Sequence, residues 1–252
     1  DPQEVINYAG VHDGETLFDL SQFKHPSATS AEERARAQVV ALGTVLMGQG
    51  VPFLHAGDEL LRSKSMDRDS YNSGDWFNRI DWTATTNYFG EMGLPPAEKN
   101  ADGWELMKPF LGNAAARPDA AQIAAARDAV KDLMRVRRDS TMFRLRTGDD
   151  VKGCVSFPDQ ADQKDGLIVM RIAGQKAGGG ACGDGKYASI VVLVNAATSA
   201  QSYAVAGYAG KTAVLHPVLA GGSDARAKTA AFDGASGTFT VPARTVAVFV
   251  EP

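Results

Sequence analysis

Residues 30–59 read "SAEERARAQVVALGTVLMGQGVPFLHAGDE", and this stretch decides the fold class. Ser30 and Glu33 have capping-box spacing, and Gly50 is the residue type that stops a helix at its C′ position. Between them Val39, Leu42, Leu46 and Met47 recur at helical spacing. "VPFLHAG" then predicts a second kind of element, a short buried strand that ends in two acids, Asp58 and Glu59. Upstream, "VINYA" (5–9) predicts another short buried strand, which runs into His12-Asp13-Gly14. Strand, helix and strand in this order predict a parallel crossover unit. Both strands then end in charged residues at one sheet edge, where α/β barrels place their catalytic groups.

The bulk properties exclude several classes. The chain has 252 residues, 44% hydrophobic and 22% charged, which is ordinary for one or two globular domains. A formal net charge of -4 argues against a nucleic-acid-binding protein, which would carry a basic stripe. No apolar run reaches membrane-spanning length. The start, "DPQEVINYAG", has neither the basic opening nor the apolar core of a signal peptide, and is expected of a chain that begins inside a longer protein. Two cysteines, Cys154 and Cys182, lack C-x-x-C spacing, so neither a zinc site nor a disulfide framework is expected. Two free thiols are favoured over a single bridge. The four histidines form no H-E-x-x-H, and no phosphate-binding or nucleophile-elbow motif occurs.

Residues 60–112 predict a long irregular excursion, too aromatic to be disordered. Eight of the 20 aromatic residues fall between Tyr71 and Phe110, including Trp76, Trp82 and Trp104. "PDAAQIAAARDAVKDLMRVRRDS" predicts an amphipathic helix with Ile123, Val130, Leu133, Met134 and Val136 inward. Its arginines Arg135, Arg137 and Arg138 suit the last turn of the helix dipole. From about Phe143 short alternating segments ("VKGCVSF", "GLIVMRI", "YASIVVLVNA", "SYAVAG", "TAVLHPV", "GTFTVPARTVAVFVEP") predict an all-β sandwich. "AGQKAGGGACGDGK" predicts a flexible surface loop between two strands.

Each candidate group has two readings. Asp13 at a strand end could stabilise a cationic transition state, with His12 donating to substrate. Asp-Gly is equally good turn chemistry, and spacing alone favours the turn. Asp58-Glu59 could be a catalytic pair, but adjacent acids there more often cap a helix or hold Arg62 and Lys64. The aromatic and polar residues of 60–112 form either a buried mini-core or a sugar-binding surface. Sugar C–H faces stack on rings, while hydroxyls need fixed donors and acceptors. Arg68-Asp69 could hold vicinal hydroxyls or form a plain surface ion pair.

"VINYAGVHDGETLFD" resembles the fourth signature region of the α-amylase superfamily, at the end of its seventh barrel strand. "GVPFLHAGDELLRSKSMDRDSYNSGDWFNRIDW" resembles the eighth strand and following loop of the limit dextrinase and pullulanase-type α-1,6-glucan debranching enzymes. "GLPPAEKNADGWELMKP" and "SGTFTVPARTVAVFVEP" resemble the same family, so the likeness covers essentially the whole chain. It implies an α/β plus all-β fold: the last two βα units of a (β/α)8 TIM barrel, residues 1–142 with the substrate loop 60–112, then a C-terminal antiparallel β-sandwich, residues 143–252.

The resemblance implies retaining hydrolysis of α-1,6 branch linkages in pullulan and branched limit dextrins, with one carboxylate as nucleophile and another as acid and base. Asp13 takes the place of a third, transition-state-stabilising carboxylate. His12 would hold the same sugar, Arg68, Asp69 and Tyr71 the next one, and Asp102 the outer subsites. The nucleophile and acid/base belong to the fourth and fifth strands of the family's barrel and have no counterpart here, so the isolated chain is expected to be inactive. The missing amino-terminal portion of the same enzyme is then its partner, besides the α-glucan; no nucleic acid or membrane is expected. No cofactor is required, and a structural calcium is allowed in the complete enzyme. A plant or algal source would place it in the plastid, and a bacterial one outside or inside the cell. Gly14 stands where the family usually has Asn. The alternatives are a non-catalytic glucan-binding module or a structural domain.

Overall fold

The computed structural model describes residues 1–252, which divide into two compact units. One comprises Asp1–Asn7, Val40–Phe53 and Ala129–Pro252; the other comprises Tyr8–Val39 and Leu54–Asp128. No helix is long and apolar enough to cross a membrane.

The opening crossover is present. β1 (Ile6–Asn7) pairs in parallel with β2 (Val51–Pro52), and α2 (Ala31–Met47) runs between them in sequence, after the short α1 (Leu17–Gln22). Ser30 caps α2 by accepting the Glu33 N–H at 3.3 Å. Gly50 takes a left-handed φ of 94°, and a Cβ there would stand 2.8 Å from the Val5 carbonyl, so the turn into β2 demands glycine. The predicted burial of these strands is corrected: Val5, Ile6, Val51 and Phe53 are all exposed. A sheet of two short strands has no third strand to cover its apolar side chains, and no closed barrel forms.

Residues 60–112 are less irregular than expected. They contain α3 (Gly74–Asn78), α4 (Ala97–Asn100) and α5 (Trp104–Leu111); a 3-10 turn (Ser70–Asn72) precedes α3 and another (Ala101–Gly103) joins α4 to α5, while residues 79–96 between α3 and α4 remain irregular. Such helices are too short to show periodicity in sequence. They close on a core of Phe18, Leu61, Met66, Phe89, Met107 and Ile123, in which the Phe18 and Phe89 rings meet edge to face.

α6 (Ala120–Asp139) is the predicted amphipathic helix. Ile123, Val130, Leu133 and Val136 are buried as expected, but Met134 is 51% exposed. The arginine that matters there is Arg137. Its buried guanidinium donates to the carbonyls of Leu46, Gly48 and Gly50 at 2.6–2.7 Å, completing the open C-terminal end of α2.

The rest of the chain is mostly β. β3 (Val155–Ser156), β4 (Leu167–Ala173), β5 (Ser189–Asn195), β10 (Thr245–Glu251) and β7 (Val214–Leu215) form one antiparallel sheet in the order β3-β4-β5-β10-β7. β6 (Gln201–Ala204), β9 (Thr238–Val241) and β8 (Ala231–Asp233) form a second, in the order β6-β9-β8. Leu167, Val169, Val191, Leu193 and Phe249 of the first sheet share one core with Phe239 and Val241 of the second. Two expectations change. "VKGC" belongs to α7 (Gly148–Cys154), capped by Thr147, and "HPV" opens α8 (Pro217–Ala220).

The glycine-rich segment is not a free loop. Cys182 is fully buried and bonded to Cys154, with Cα atoms 5.9 Å apart, so the expectation of free thiols is overturned. An antiparallel bridge between Gln175 and Ala181 closes the same loop. Sequence spacing carries no trace of this pairing, because Cys154 ends a helix and Cys182 lies in a loop 28 positions later.

Candidate active site

The segment after β2 is built around two buried acids. Asp19, on α1, accepts the Ser63 hydroxyl at 2.6 Å and the Lys64 N–H at 2.7 Å. Burial pushes its carboxyl up to about 6, against the opposing pull of these hydrogen bonds. Asp67 accepts the Asp69 N–H at 2.9 Å, the Ser73 hydroxyl at 2.5 Å and the Asn100 amide at 3.0 Å. Between these anchors Leu61, Ser65 and Met66 hold positive φ values of 56–62°. Left-handed backbone at non-glycine residues costs on the order of 1 kcal/mol each, and persists where the surroundings over-determine it. The fixed segment presents Arg68, Asp69, Ser70 and Tyr71 at one side of a cavity.

The other side is the turn after β1. His12, Asp13 and Gly14 line the same cavity of about 540 Å³, with Lys64, Arg68, Asp69, Ser70, Tyr71 and Asn78. His12 Nδ1 lies 3.0 Å from Asp13 Oδ1, and both side chains are largely exposed to the cavity and solvent. Gly14 has a φ of 71° with open space around a notional Cβ. Asn is among the side chains that best tolerate that conformation, so glycine in place of Asn keeps the turn.

The structure thus brings together five of the six residues singled out from sequence: His12, Asp13, Arg68, Asp69 and Tyr71. Asp102 does not line the cavity. Its carboxylate pairs with the Arg68 guanidinium, whose Nε also donates to the Lys99 carbonyl at 2.8 Å. Asp102 and Lys99 therefore aim Arg68. Tyr71 is 90% exposed and also borders a smaller cavity of about 180 Å³ with Asn72, Ser73, Glu98 and Lys99. Lys64, Ser70 and Asn78 were not singled out. The sequence "RSKSMDRDS" offers many polar side chains, and nothing in it tells which are turned inward.

Asp58 is structural in its contacts. It is buried, accepts the His55 N–H at 3.2 Å, and sits against Gly10, where a Cβ would stand 3.0 Å from its carboxylate. Burial pushes its carboxyl up to about 7. Arg62 gives its guanidinium to the carbonyls of Ala56, Asn78 and Arg79 and not to Asp58. The aromatic residues divide by burial. Phe89 is core, whereas Trp76 and Trp82 are exposed, and Trp76 and Tyr88 sandwich Arg79 at 4.0 and 3.8 Å. No group of three or more His, Cys, Asp or Glu side chains converges as metal ligands, so no residue here is assigned to the calcium that the resemblance allows.

Residues 84–252 match the model of the C-terminal region of pullulanase-type alpha-1,6-glucosidases. The chain belongs to this family. It is 44% identical to the chloroplastic Pullulanase 1 of Arabidopsis thaliana over 99% of its own length, and 36% identical to a Klebsiella pneumoniae pullulanase over 100%. These alignments take in 26% and 23% of the relatives, so this pullulanase-type chain spans about a quarter of their length. The apo pullulanase structure from Klebsiella pneumoniae superposes with a TM-score of 0.91 at 34% identity, over all of this chain and 27% of that one. The structure of its maltotriose complex matches with the same TM-score. His12, Asp13 and Arg68 lie ahead of the residues matched by the family model, and within reach of these longer alignments.

Proposed function

We propose that this chain is the C-terminal part of a debranching glycoside hydrolase that cuts α-1,6 linkages in pullulan and branched limit dextrins with retention of configuration. The observation that carries the reading is the cavity shared by His12 and Asp13 with Arg68, Asp69 and Tyr71. A carboxylate that accepts hydrogen bonds from ring hydroxyls grips a distorted, cationic sugar more tightly than a relaxed one. Asp13 takes that role, and His12 holds the same ring. Arg68, aimed by Asp102, and Asp69 hold hydroxyls of the next sugar, against which Tyr71 offers an exposed ring face. Nucleophile and acid/base come from residues outside this chain.

The crossover at β1 and β2 is read as the last two strands of a (β/α)8 barrel, with residues 1–142 in the barrel and 143–252 in a β-sandwich domain. The exposed Val5, Ile6, Val51 and Phe53 support this. They are apolar positions that further strands of the amino-terminal portion would cover. The chloroplastic relative supports a plastid setting, and the Klebsiella relative a bacterial one. The exposed Tyr71 and Trp82 also suit a glucan-binding surface without chemistry.

The deciding experiment measures reducing ends released from pullulan by three samples. Full-length polypeptide containing this chain should be active, its Asp13→Asn variant should be strongly impaired, and the pure 252-residue chain should release none. Full activity in Asp13→Asn, or turnover by the chain alone, overturns the assignment. Maltotriose binding that survives Asp13→Ala without turnover in any sample favours the binding module.

A further inference from the structure

Lys64 is 4% exposed, yet it lines the cavity that holds His12 and Asp13. An ammonium carries three N–H donors and is costly to bury unless those donors are used. Here one is used: Nζ donates to the Ser70 hydroxyl at 2.7 Å, a neutral partner. No carboxylate closes an ion pair on it. Its backbone is held by the fully buried Asp19 carboxylate through the Lys64 N–H, and the next two residues are in the left-handed region. Burial lowers its pKa, and the nearby Arg62 lowers it further; Asp67, Asp19 and Asp13 pull the other way. The fold therefore invests anchoring hydrogen bonds and backbone strain in setting a charged donor, two-thirds unspent, at a polar cavity.

We infer that Lys64 is a substrate-binding residue, which donates its two free N–H groups to hydroxyl oxygens of the glucosyl ring held at His12 and Asp13. This rests on the glucan reading of the cavity. Ser70 completes the device: it takes the third donor and leaves the other two directed at the ring. With Asp13 accepting and Lys64 donating, the site offers both halves of what a vicinal diol requires. A ring lacking the hydroxyl that Lys64 holds would leave a buried charge unsatisfied, so the residue discriminates as well as binds.

The test uses full-length polypeptide and titrates maltotriose and a panel of its monodeoxy analogues, with melting temperature measured in parallel. Lys64→Met should weaken maltotriose at least about tenfold, the low end for a hydrogen bond from a charged donor. Its melting temperature should not fall. One deoxy analogue that binds wild type poorly should bind Lys64→Met as well as maltotriose does, because the lost partner is already gone. Where Lys64→Met does not fold, Lys64→Gln carries the same comparison. Unchanged maltotriose affinity in the Lys64 variant, with Asp13→Asn weakened, overturns the inference and leaves the glucan reading standing. Equal deoxy penalties in variant and wild type show a merely structural lysine and also overturn it. Failure of wild type to bind maltotriose removes the glucan reading, and the Lys64 assignment with it.

Discussion

Asp67 and Asn100 are joined by a 3.0 Å hydrogen bond across 33 positions of sequence, and through it α4 holds the segment that carries Arg68 and Asp69. The fully buried Asp67 carboxylate also accepts the Asp69 N–H and the Ser73 hydroxyl, while Asn100 Oδ1 accepts the Arg68 N–H at 3.2 Å. Removing the acid leaves three donors without their acceptor. Asp67→Ala should cost about 3 kcal/mol of stability. It should also open residues 65–75 to proteolysis before the rest of the chain unfolds, as read by mass spectrometry of limited digests. Cleavage there at the wild-type rate would contradict the anchoring role.

Asp13 is the converse case. Its side chain is 87% exposed and its contact with His12 is local, so it contributes little to folding. Asp13→Asn should change unfolding free energy by less than about 0.5 kcal/mol, as surface substitutions do. In the full-length polypeptide it should lower pullulan turnover on the order of 10²-fold or more, the loss usual for one group aimed at transition-state charge. A large fall in melting temperature would instead make Asp13 a structural turn residue.

How much of this was legible in sequence depended on whether the signal was local. The capping of α2, its apolar stripe and the strand, helix, strand order are written in neighbours three and four apart, and they are present in the structure. The resemblance in residues 5–19 and 51–82 pointed to His12, Asp13, Arg68, Asp69 and Tyr71, and these five do meet at one cavity. What was hidden needed long-range contact. Asp19 reaches Lys64, Arg137 reaches the end of α2, and Cys154 reaches Cys182, each by a pairing that spacing does not encode. The strand exposure was misjudged for the opposite reason. Val5, Ile6, Val51 and Phe53 are typical buried-strand residues, but burial requires a neighbour to supply it.

Gly43 sits inside α2, where alanine would ordinarily gain up to about 1 kcal/mol in helix propensity. A Cβ there would stand 2.7 Å from Val246 Cγ2 on β10 and 3.0 Å from Leu133 Cδ1 on α6. Overpacking of this kind costs about 1–3 kcal/mol and outweighs the propensity gain. Gly43→Ala should therefore lower the urea midpoint, and Gly43→Ala with Val246→Ala should recover part of the loss. A more stable Gly43→Ala single variant would mean that the helix can step away from β10.

The Cys154–Cys182 bond closes a loop of 28 positions and ties β4 and its following loop to the end of α7. Constraint of the unfolded chain over such a loop is worth about 3.6 kcal/mol. Reduction, or Cys154→Ser with Cys182→Ser, should lower the melting temperature and free residues 174–186 for hydrogen exchange. Equal melting temperatures with and without reductant would show that the loop is held by its other contacts alone.

Asp58 and His55 set the last expectation, because their shifts oppose each other. Burial raises Asp58 from 3.8 to about 7, so between those values the native state holds a proton that the unfolded chain releases. That contribution to stability falls as pH rises through the window. His55 is lowered from 6.5 to about 4, by burial first and then by the charges of Lys64, Arg62 and His12. Between pH 4 and 6.5 the native state therefore lacks a proton that the unfolded chain binds, and this contribution rises with pH. Each slope is at most about 1.4 kcal/mol per pH unit, so in the shared window the two largely cancel and both groups are neutral. Asp19, raised from 3.8 to about 6 by burial, adds a second falling slope in this window, so each variant is read as its difference from wild type at the same pH: Asp58→Asn should gain on wild type as pH rises from 4 to 7. His55→Gln should lose ground to wild type as pH rises from 4 to 6.5. Urea unfolding of wild type and both variants across this range decides it: differences from wild type that change with pH in the same direction would mean that at least one of the two groups titrates at its ordinary value.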